Sequence, residues 1–159
     1  MAPRLARWCS ARWVAPPLAT PQQESEVTDT PETLLVVDDN AMNLRLVSFL
    51  LKSRGYRVLT ATNADEALAV LRETVPPVIL MDLQLPGMDG LTLTRQLKAD
   101  PRTRRAFIVA FTAYAMKGDD AKAFEAGCDA YLTKPVDTRA LPEQIAGFFA
   151  RARPEEASR

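Results

Sequence analysis

Five polar residues in this 159-residue chain follow short apolar runs, and their types together suit phosphoryl chemistry. They are Asp38, Asp39, Asp82, Thr112 and Lys134. Two carboxylates about 5 Å apart repel by about 3 kcal/mol at an effective dielectric constant of about 20, so clustered acids require a cation. Oxygen ligands of this kind favour Mg2+. A metal ion, an ammonium group and a hydroxyl around one central carboxylate would bind the oxygens of a phosphoryl group, with that carboxylate as nucleophile.

The fold must bring these residues together, and the apolar pattern predicts how. From Thr33 onward, strand-like apolar runs alternate with amphipathic, helix-like segments. The predicted strands are Leu34–Val37, Tyr56–Thr60, Val78–Met81, Phe107–Phe111 and Ala130–Leu132. Repeated alternation with short connections predicts a parallel sheet covered by helices on both faces. Ligands bind outside the carboxyl ends of the strands of such a sheet, which is where all of these polar residues are expected.

Helix start and stop signals lie between the apolar runs. The predicted N-caps of the first, second, third and last helices are Asn40, Asn63, Asp89 and Asp137. The fourth helix is predicted over Lys117–Ala126, with Gly127 at its C-terminal end. Pro142 would remove a hydrogen bond from the last helix if Asp137 is its cap, so that helix is expected to start late or to bend.

Composition excludes several classes of protein. Lys plus Arg and Asp plus Glu each number 20, so the net charge is zero and binding to nucleic acid or to a membrane surface is not expected. Histidine is absent, which excludes histidine-based nucleophile pairs, imidazole metal sites and a phosphohistidine of the chain's own. Cys9 and Cys128 are too few for a disulfide framework, and together with the lack of a long apolar run they predict a cytoplasmic protein.

The two ends of the chain depart from the regular pattern. Residues 1–32 contain five prolines and several arginines without apolar periodicity, so a disordered tail is predicted. We interpret this tail as a bland extension, with a docking or membrane-contacting segment and an organelle-targeting peptide as alternatives. The domain itself is predicted over residues 33–150, followed by a short polar tail over residues 151–159.

Four motifs make the chain similar to a known family. They are Val36-Val37-Asp38-Asp39-Asn40, Met81-Asp82-Leu83-Gln84-Leu85-Pro86-Gly87-Met88-Asp89-Gly90, Phe111-Thr112-Ala113 and Tyr131-Leu132-Thr133-Lys134-Pro135. In combination they resemble the receiver domain of two-component response regulators, and the similarity runs from about Thr33 to Phe149. This resemblance implies a doubly wound, flavodoxin-like α/β fold with five parallel strands in the order 2-1-3-4-5.

The resemblance also implies roles for the acidic residues. Asp82 would accept a phosphoryl group from a histidine kinase or a histidine phosphotransfer protein. Asp39, Asp82 and the backbone carbonyl of Gln84 would bind Mg2+ directly, and Asp38 would contribute through water. The absence of histidine fits this role, because the donor must then be another protein.

Further roles follow from the same resemblance. The phosphoryl oxygens would be bound by Thr112, Ala113 and Lys134. Phosphorylation would draw the Thr112 hydroxyl inward, and Tyr131 would turn from solvent into the space that it leaves. This movement would reshape a protein-binding face made of the helix Lys117–Ala126, the fifth strand and the last helix. Gln84 and Tyr114 occupy the positions that tune the lifetime of the phosphorylated state.

The favoured function is therefore a stand-alone phosphoacceptor switch that acts on an unknown protein target. It is expected to be a monomer or weak dimer and to catalyse only its own phosphorylation and dephosphorylation. Alternatives are the receiver piece of a hybrid histidine kinase, a degenerate receiver, and a haloacid dehalogenase-type phosphatase. That phosphatase family has Asp-x-Asp at its nucleophile, whereas Gln84 stands two residues after Asp82. A flavodoxin-type cofactor binder is disfavoured because Asp38 and Asp39 would repel the phosphate of FMN.

The resemblance also implies that the peptide bond corresponding to Lys134–Pro135 is cis, a conformation that an X-Pro bond tolerates.

Overall fold

The computed structural model describes residues 32–113 and 116–153. Within them, strands and helices alternate strictly, in the order β1 (Thr33–Val37), α1 (Ala41–Lys52), β2 (Arg57–Ala61), α2 (Ala64–Glu73), β3 (Val78–Met81), α3 (Gly90–Ala99), β4 (Phe107–Thr112), α4 (Asp119–Ala126), β5 (Ala130–Thr133) and α5 (Leu141–Ala152). The predicted N-terminal tail, apart from Glu32, lies outside the described residues, as do Tyr114 and residues 154–159.

The five strands form one parallel sheet in the order β2-β1-β3-β4-β5, which confirms the predicted fold class. The central strand β3 is buried along its whole length, as expected for a strand covered on both faces. Each predicted strand is found within one residue of its expected position at either end. The apolar runs therefore located the sheet correctly.

Alternate residues of each strand build two separate cores. On one face, Leu35 and Val37 of β1 pack with side chains of α2, α3 and α4. On the other face, Leu34 and Val36 pack with side chains of α1 and α5. Full burial of an aliphatic side chain stabilises a fold by about 1.5–3 kcal/mol, so both layers contribute substantially to holding the sheet. The helices thus cover both faces, as predicted.

The predicted N-caps of the first three helices are confirmed. Asn40 accepts a hydrogen bond from the Met42 backbone N–H at 2.9 Å, and Asp89 accepts one from Thr92 at 2.7 Å. Asn63 accepts from the Glu66 backbone N–H at 2.8 Å, so it also satisfies an otherwise unpaired donor at a helix start. These caps fix where α1, α2 and α3 begin.

Two helix starts differ from the prediction. α4 begins at Asp119 rather than Lys117, because Gly118 takes a left-handed conformation with φ of 99°. α5 begins at Leu141, because the Asp137 carboxylate instead accepts from the Arg139 and Ala140 backbone N–H groups and closes a separate turn. Pro142 is therefore the second residue of α5, where no intrahelical hydrogen bond is lost.

None of the helices in the described part of the chain is long and apolar enough to cross a membrane. The longest, α1 and α5, have 12 residues each.

Candidate functional site

Sheet register places the acidic residues side by side. Val37 at the end of β1 is paired with Met81 at the end of β3, so Asp38 and Asp82, the next residues, leave the sheet at the same level. Asp38, Asp39 and Asp82 each offer a carboxylate oxygen within 4.8 Å of the others. Asp38 and Asp82 are buried, whereas Asp39 is exposed. The predicted acidic cluster is therefore present at the carboxyl edge of the sheet.

Backbone and side-chain donors orient the two buried carboxylates. The Asn40 backbone N–H donates to Asp38 Oδ1 at 2.8 Å, and the Asn43 side-chain amide donates to Asp38 Oδ2 at 3.3 Å. The Gln84 backbone N–H donates to Asp82 Oδ1 at 2.9 Å. Each carboxylate keeps a fixed orientation because the backbone N–H two residues later in the chain donates a hydrogen bond to it.

Lys134 connects these two carboxylates. It follows β5 directly, and its ammonium lies 2.5 Å from Asp38 Oδ2 and 3.0 Å from Asp82 Oδ2. The side chain is only 11% exposed, so the attraction is little screened by water. A single positive charge cannot neutralise three carboxylates, and the cluster therefore remains net negative.

The pKa values of Asp82 and Lys134 follow from this arrangement. Burial raises the pKa of Asp82 above its ordinary value, and the charge of Asp38 adds to the increase, against the lowering effect of the Gln84 N–H and of Lys134. Burial lowers the pKa of Lys134, but its hydrogen bonds to Asp38 and Asp82 and their charges outweigh this and raise it overall. Lys134 is thus held in its charged form.

The donor set fits a hard divalent cation. A cavity of about 390 Å3 opens beside the cluster, and its lining consists of Asp38, Asp39, Asn40, Asn43, Asp82, Gln84, Leu85, Pro86, Ala113 and Lys134. The lining residues include three that offer carboxylate oxygens close together, Asp38, Asp39 and Asp82, and Mg2+ prefers oxygen over nitrogen or sulfur ligands. The remaining negative charge gives such an ion a favourable place to bind. The residues present therefore fit Mg2+.

Thr112 and Ala113 lie on the neighbouring strand end. Thr112 is the last residue of β4 rather than the residue after it, and it is only 1% exposed. Its backbone carbonyl accepts a hydrogen bond from the Lys134 backbone N–H at 2.8 Å. Ala113 is exposed and lines the cavity. The Lys134–Pro135 peptide bond is cis, as the resemblance implied.

Tyr131 is half-buried rather than directed into solvent. Its ring packs against the core layer that contains α2, α3 and α4, and its hydroxyl is buried without a hydrogen-bond partner among the described residues. Burial, together with the charges of Asp119 and Asp120, raises the pKa of its hydroxyl. Tyr114, the other aromatic singled out in the sequence, lies outside the described residues.

Sequence reasoning missed two residues of the site. Asn43 contacts Asp38 from the first turn of α1, and its position three residues after the N-cap Asn40 was the available signal. At Gly90, an added Cβ would lie 2.1 Å from the Asp82 carbonyl oxygen, so only glycine lets α3 start against the Asp82 backbone. A glycine directly after the predicted cap Asp89 was its signal.

Comparison with known proteins is consistent with this geometry. Residues 34–146 match the profile of the response regulator receiver domain. The chain is 38% identical over 122 residues to the polar-differentiation response regulator DivK of Brucella anthropi, covering 77% of this chain and 99% of that protein. A crystal structure of a putative response regulator from Chloroflexus aurantiacus is 33% identical with a TM-score of 0.72, covering 76% of this chain and 99% of that one.

A further solved structure bears on the cation. The receiver domain of a sensor histidine kinase from Pseudomonas aeruginosa PAO1 is 32% identical with a TM-score of 0.69, covering 76% of this chain and 98% of that one. That structure has a magnesium ion coordinated in its active site cleft.

Proposed function

Because the chain belongs to the response regulator receiver domain family, we propose that Asp82 accepts a phosphoryl group from a phosphohistidine of a histidine kinase or histidine phosphotransfer protein. The observation that carries this assignment is the position of Asp82, which shares Lys134 with Asp38 and lies in the cavity with both other acids. A carboxylate oxygen of Asp82 attacks the phosphorus, a P–O bond forms, the P–N bond to the donor histidine breaks, and the electron pair of that bond returns to the imidazole nitrogen.

The surrounding residues stabilise the charge that develops on the transferred group. Lys134 and the Thr112 hydroxyl would bind phosphoryl oxygens, with Ala113 at the rim of the cavity. Mg2+, when bound, would be held by Asp39, Asp82 and the Gln84 carbonyl, with Asp38 through water, and would neutralise charge on the phosphoryl oxygens. The chain acts in this proposal as a phosphoacceptor switch and not as an enzyme on other substrates.

The switch is proposed to reach the target through Thr112 and Tyr131. Phosphorylation adds about one to two negative charges and new acceptor oxygens next to Lys134 and Thr112. Tyr131 already lies half inside the protein on the strand paired with β4, and its hydroxyl lacks a partner among the described residues, so a movement of β4 would be passed to it without breaking such a hydrogen bond. Its movement would alter the α4–β5–α5 face, which we define by Phe124, Tyr131, Leu132, Gly147, Phe148 and Arg151.

Phosphorylation of purified protein tests the assignment. Wild-type protein with Mg2+ and either acetyl phosphate or a phosphorylated histidine phosphotransfer protein should be labelled, and borohydride reduction followed by mass spectrometry should locate the acyl phosphate at Asp82. Asp82→Asn should not be labelled, whereas the exposed Asp65→Asn should behave as wild type. Robust labelling of Asp82→Asn on another carboxylate would exclude Asp82 as the acceptor.

A further inference from the structure

We propose that Phe111 is a positioning residue for Lys134. Its ring holds the ammonium on Asp38 and Asp82 in the unphosphorylated protein and opposes the movement of that ammonium to a phosphoryl group. The inference rests on the proposed function, because it concerns the lysine that would bind the phosphoryl oxygens. It gives Phe111, which the sequence predicts only as the last residue of a strand, a part in setting how tightly the site binds a phosphoryl group.

The Lys134 ammonium lies over the face of the Phe111 ring, 4.8 Å from the ring centroid. A cation within about 6 Å of an aromatic centroid is attracted by the negative face of the ring, and the attraction is strongest where water is excluded. Both side chains are buried, since Phe111 is 1% exposed and the Lys134 side chain is 11% exposed. The ring is therefore a third partner of the ammonium, beside the two carboxylates.

The contact complements the hydrogen bonds of the ammonium. An ammonium group has three N–H donors. Among the described residues, Lys134 donates to two side-chain oxygens, Asp38 Oδ2 at 2.5 Å and Asp82 Oδ2 at 3.0 Å. Since its side chain donates to no third oxygen among these residues, the ring face supplies the remaining attraction. The ring and the two carboxylates together define one position of the ammonium.

The position of the Phe111 ring is set by the core and not by the site. The ring packs in the core layer that contains α1 and α5, together with Val109, Leu141 and Ile145. It is among the largest fully buried side chains of the described residues. Protein interiors are close-packed, so a large ring cannot follow a moving neighbour without displacing the side chains around it. An ammonium that moves therefore leaves the ring behind.

A phosphoryl group would draw the ammonium away from the ring. The acidic cavity of about 390 Å3 is lined by Asp82 and Lys134 but not by Phe111, which lines a separate cavity of about 150 Å3 with Leu132 and Gln144. A phosphoryl group on Asp82 would place its oxygens in the acidic cavity. Movement of the ammonium farther into that cavity increases its distance from the ring and weakens the attraction. The ring thus stabilises the unphosphorylated state more than the phosphorylated one.

Fluorination of the Phe111 ring tests this inference, because each fluorine weakens the negative face and changes the size of the ring little. Full-length protein with 4-fluoro-, 3,5-difluoro- or 3,4,5-trifluorophenylalanine in place of Phe111 is titrated calorimetrically with beryllofluoride, a phosphoryl mimic, in the presence of Mg2+. The affinity is expected to rise with each fluorine, to about tenfold for the trifluorinated ring.

A second ring on the same strand is the matched control. Phe107 lies at the opposite end of β4, and the Arg151 guanidinium lies over its ring at 5.0 Å from the centroid. Phe107 does not line the acidic cavity. The same fluorinated rings in place of Phe107 should therefore leave the affinity for beryllofluoride unchanged.

Unfolding of the metal-free protein in EDTA gives a readout that a purely structural role of the ring would not reproduce. Fluorination of Phe111 should lower the melting temperature progressively, relative to the same fluorination in Lys134→Met, where no ammonium lies over the ring. Damage to the core would lower stability and affinity together, whereas loss of this contact lowers stability and raises affinity.

The outcomes separate this inference from the proposed function. Failure of the wild-type protein to bind beryllofluoride would contradict the proposed function. Binding with an affinity that is unchanged or falls across the Phe111 series would overturn the inference alone. Equal changes in melting temperature with Lys134 and with Lys134→Met would also overturn it, because the ring would then not act through the ammonium.

Discussion

Replacing Asp82 by Asn is expected to stabilise the metal-free protein at neutral pH. Asp82 is only 4% exposed, and burial is the largest cause of its raised pKa. Its charged form is therefore maintained at a cost in folding free energy. Asn has a similar shape and carries no charge, but its single oxygen can accept from only one of the two donors that Asp82 binds through separate oxygens, the Gln84 N–H and Lys134.

The direct charge interactions of Asp82 nearly cancel. At an effective dielectric constant of about 20, buried Asp38 within 4.8 Å repels it by about 3.5 kcal/mol, and exposed Asp39, screened by water, repels it by about 1 kcal/mol. Lys134 at 3.0 Å attracts it by about 5.5 kcal/mol on the same scale. The desolvation of the charged Asp82 carboxylate, which costs several kcal/mol, then decides whether Asp82→Asn raises or lowers stability. The weaker hydrogen bonds made by Asn offset much of the gain from removing that cost. We expect a net gain of about 1–2 kcal/mol, or about 3–10 °C in melting temperature.

The pH dependence gives a second, independent check. A carboxylate whose pKa is higher in the folded than in the unfolded state destabilises the fold fully at pH values above the raised pKa, progressively less as the pH falls toward the unfolded-state pKa, and not at all below that value. The advantage of Asp82→Asn over wild type should therefore shrink as the pH falls through the folded-state pKa. Thermal unfolding followed by circular dichroism in EDTA measures this difference across the pH range.

Two comparisons make the experiment decisive. Asp65→Asn changes an exposed carboxylate on α2 and should shift the free energy of unfolding by less than about 0.5 kcal/mol. Added Mg2+ should stabilise wild type by mass action and Asp82→Asn less, because the variant offers a neutral amide oxygen in place of a carboxylate. A lower melting temperature for Asp82→Asn in EDTA at neutral pH, or a difference that widens on acidification, would refute the reasoning.

Three other variants test the site and the helices. Lys134→Met leaves the buried Asp38 and Asp82 without their ammonium partner, so it should lower the free energy of unfolding by about 3 kcal/mol, measured by urea unfolding in EDTA. Added Mg2+ should recover part of this loss. An unchanged urea midpoint would show that the two ion pairs do not contribute to stability. Gly90→Ala should destabilise by about 1–3 kcal/mol because its Cβ would lie 2.1 Å from a carbonyl oxygen, whereas Gly147→Ala, which meets nothing, should stabilise by about 0.5–1 kcal/mol. Equal effects of the two alanines would contradict this contrast.

The fold was largely predictable because its apolar runs are unambiguous. Val78–Met81 is bounded by Pro77 and Asp82 and is buried on both faces, so it could only be an inner strand. The first residues of the helices were harder to predict, because the same residue type can cap a helix or close a separate turn. Asp137 accepts N–H groups two and three residues ahead, as an N-cap does, yet the turn it closes ends before α5 begins.

The candidate site was predicted as a set of residues but not as a set of contacts. Because β1 and β3 are adjacent, Asp38 and Asp82 had to lie close together once the strand order was known. Which of the acids Lys134 contacts depends on side-chain geometry, and it contacts both buried ones while Asp39 stays exposed. The clearance that Gly90 gives the Asp82 backbone is a tertiary property that no local pattern specifies.

The attachments at the two ends of β5 support the proposal that Tyr131 responds to a phosphoryl group on Asp82. Before β5, Asp129 accepts from Lys98 at 2.8 Å and from the Ile108 backbone N–H at 2.9 Å, so the amino end of the strand is fixed to α3 and β4. After β5, Lys134 is held by the same carboxylate that would carry the phosphoryl group. In the proposed switch, a phosphoryl group on Asp82 would remove one carboxylate partner of Lys134 and supply new acceptors farther from the sheet. Because the amino end is fixed, we expect the resulting displacement to fall on the carboxyl half of β5 and on Tyr131, whose hydroxyl has no hydrogen-bond partner among the described residues to hold it.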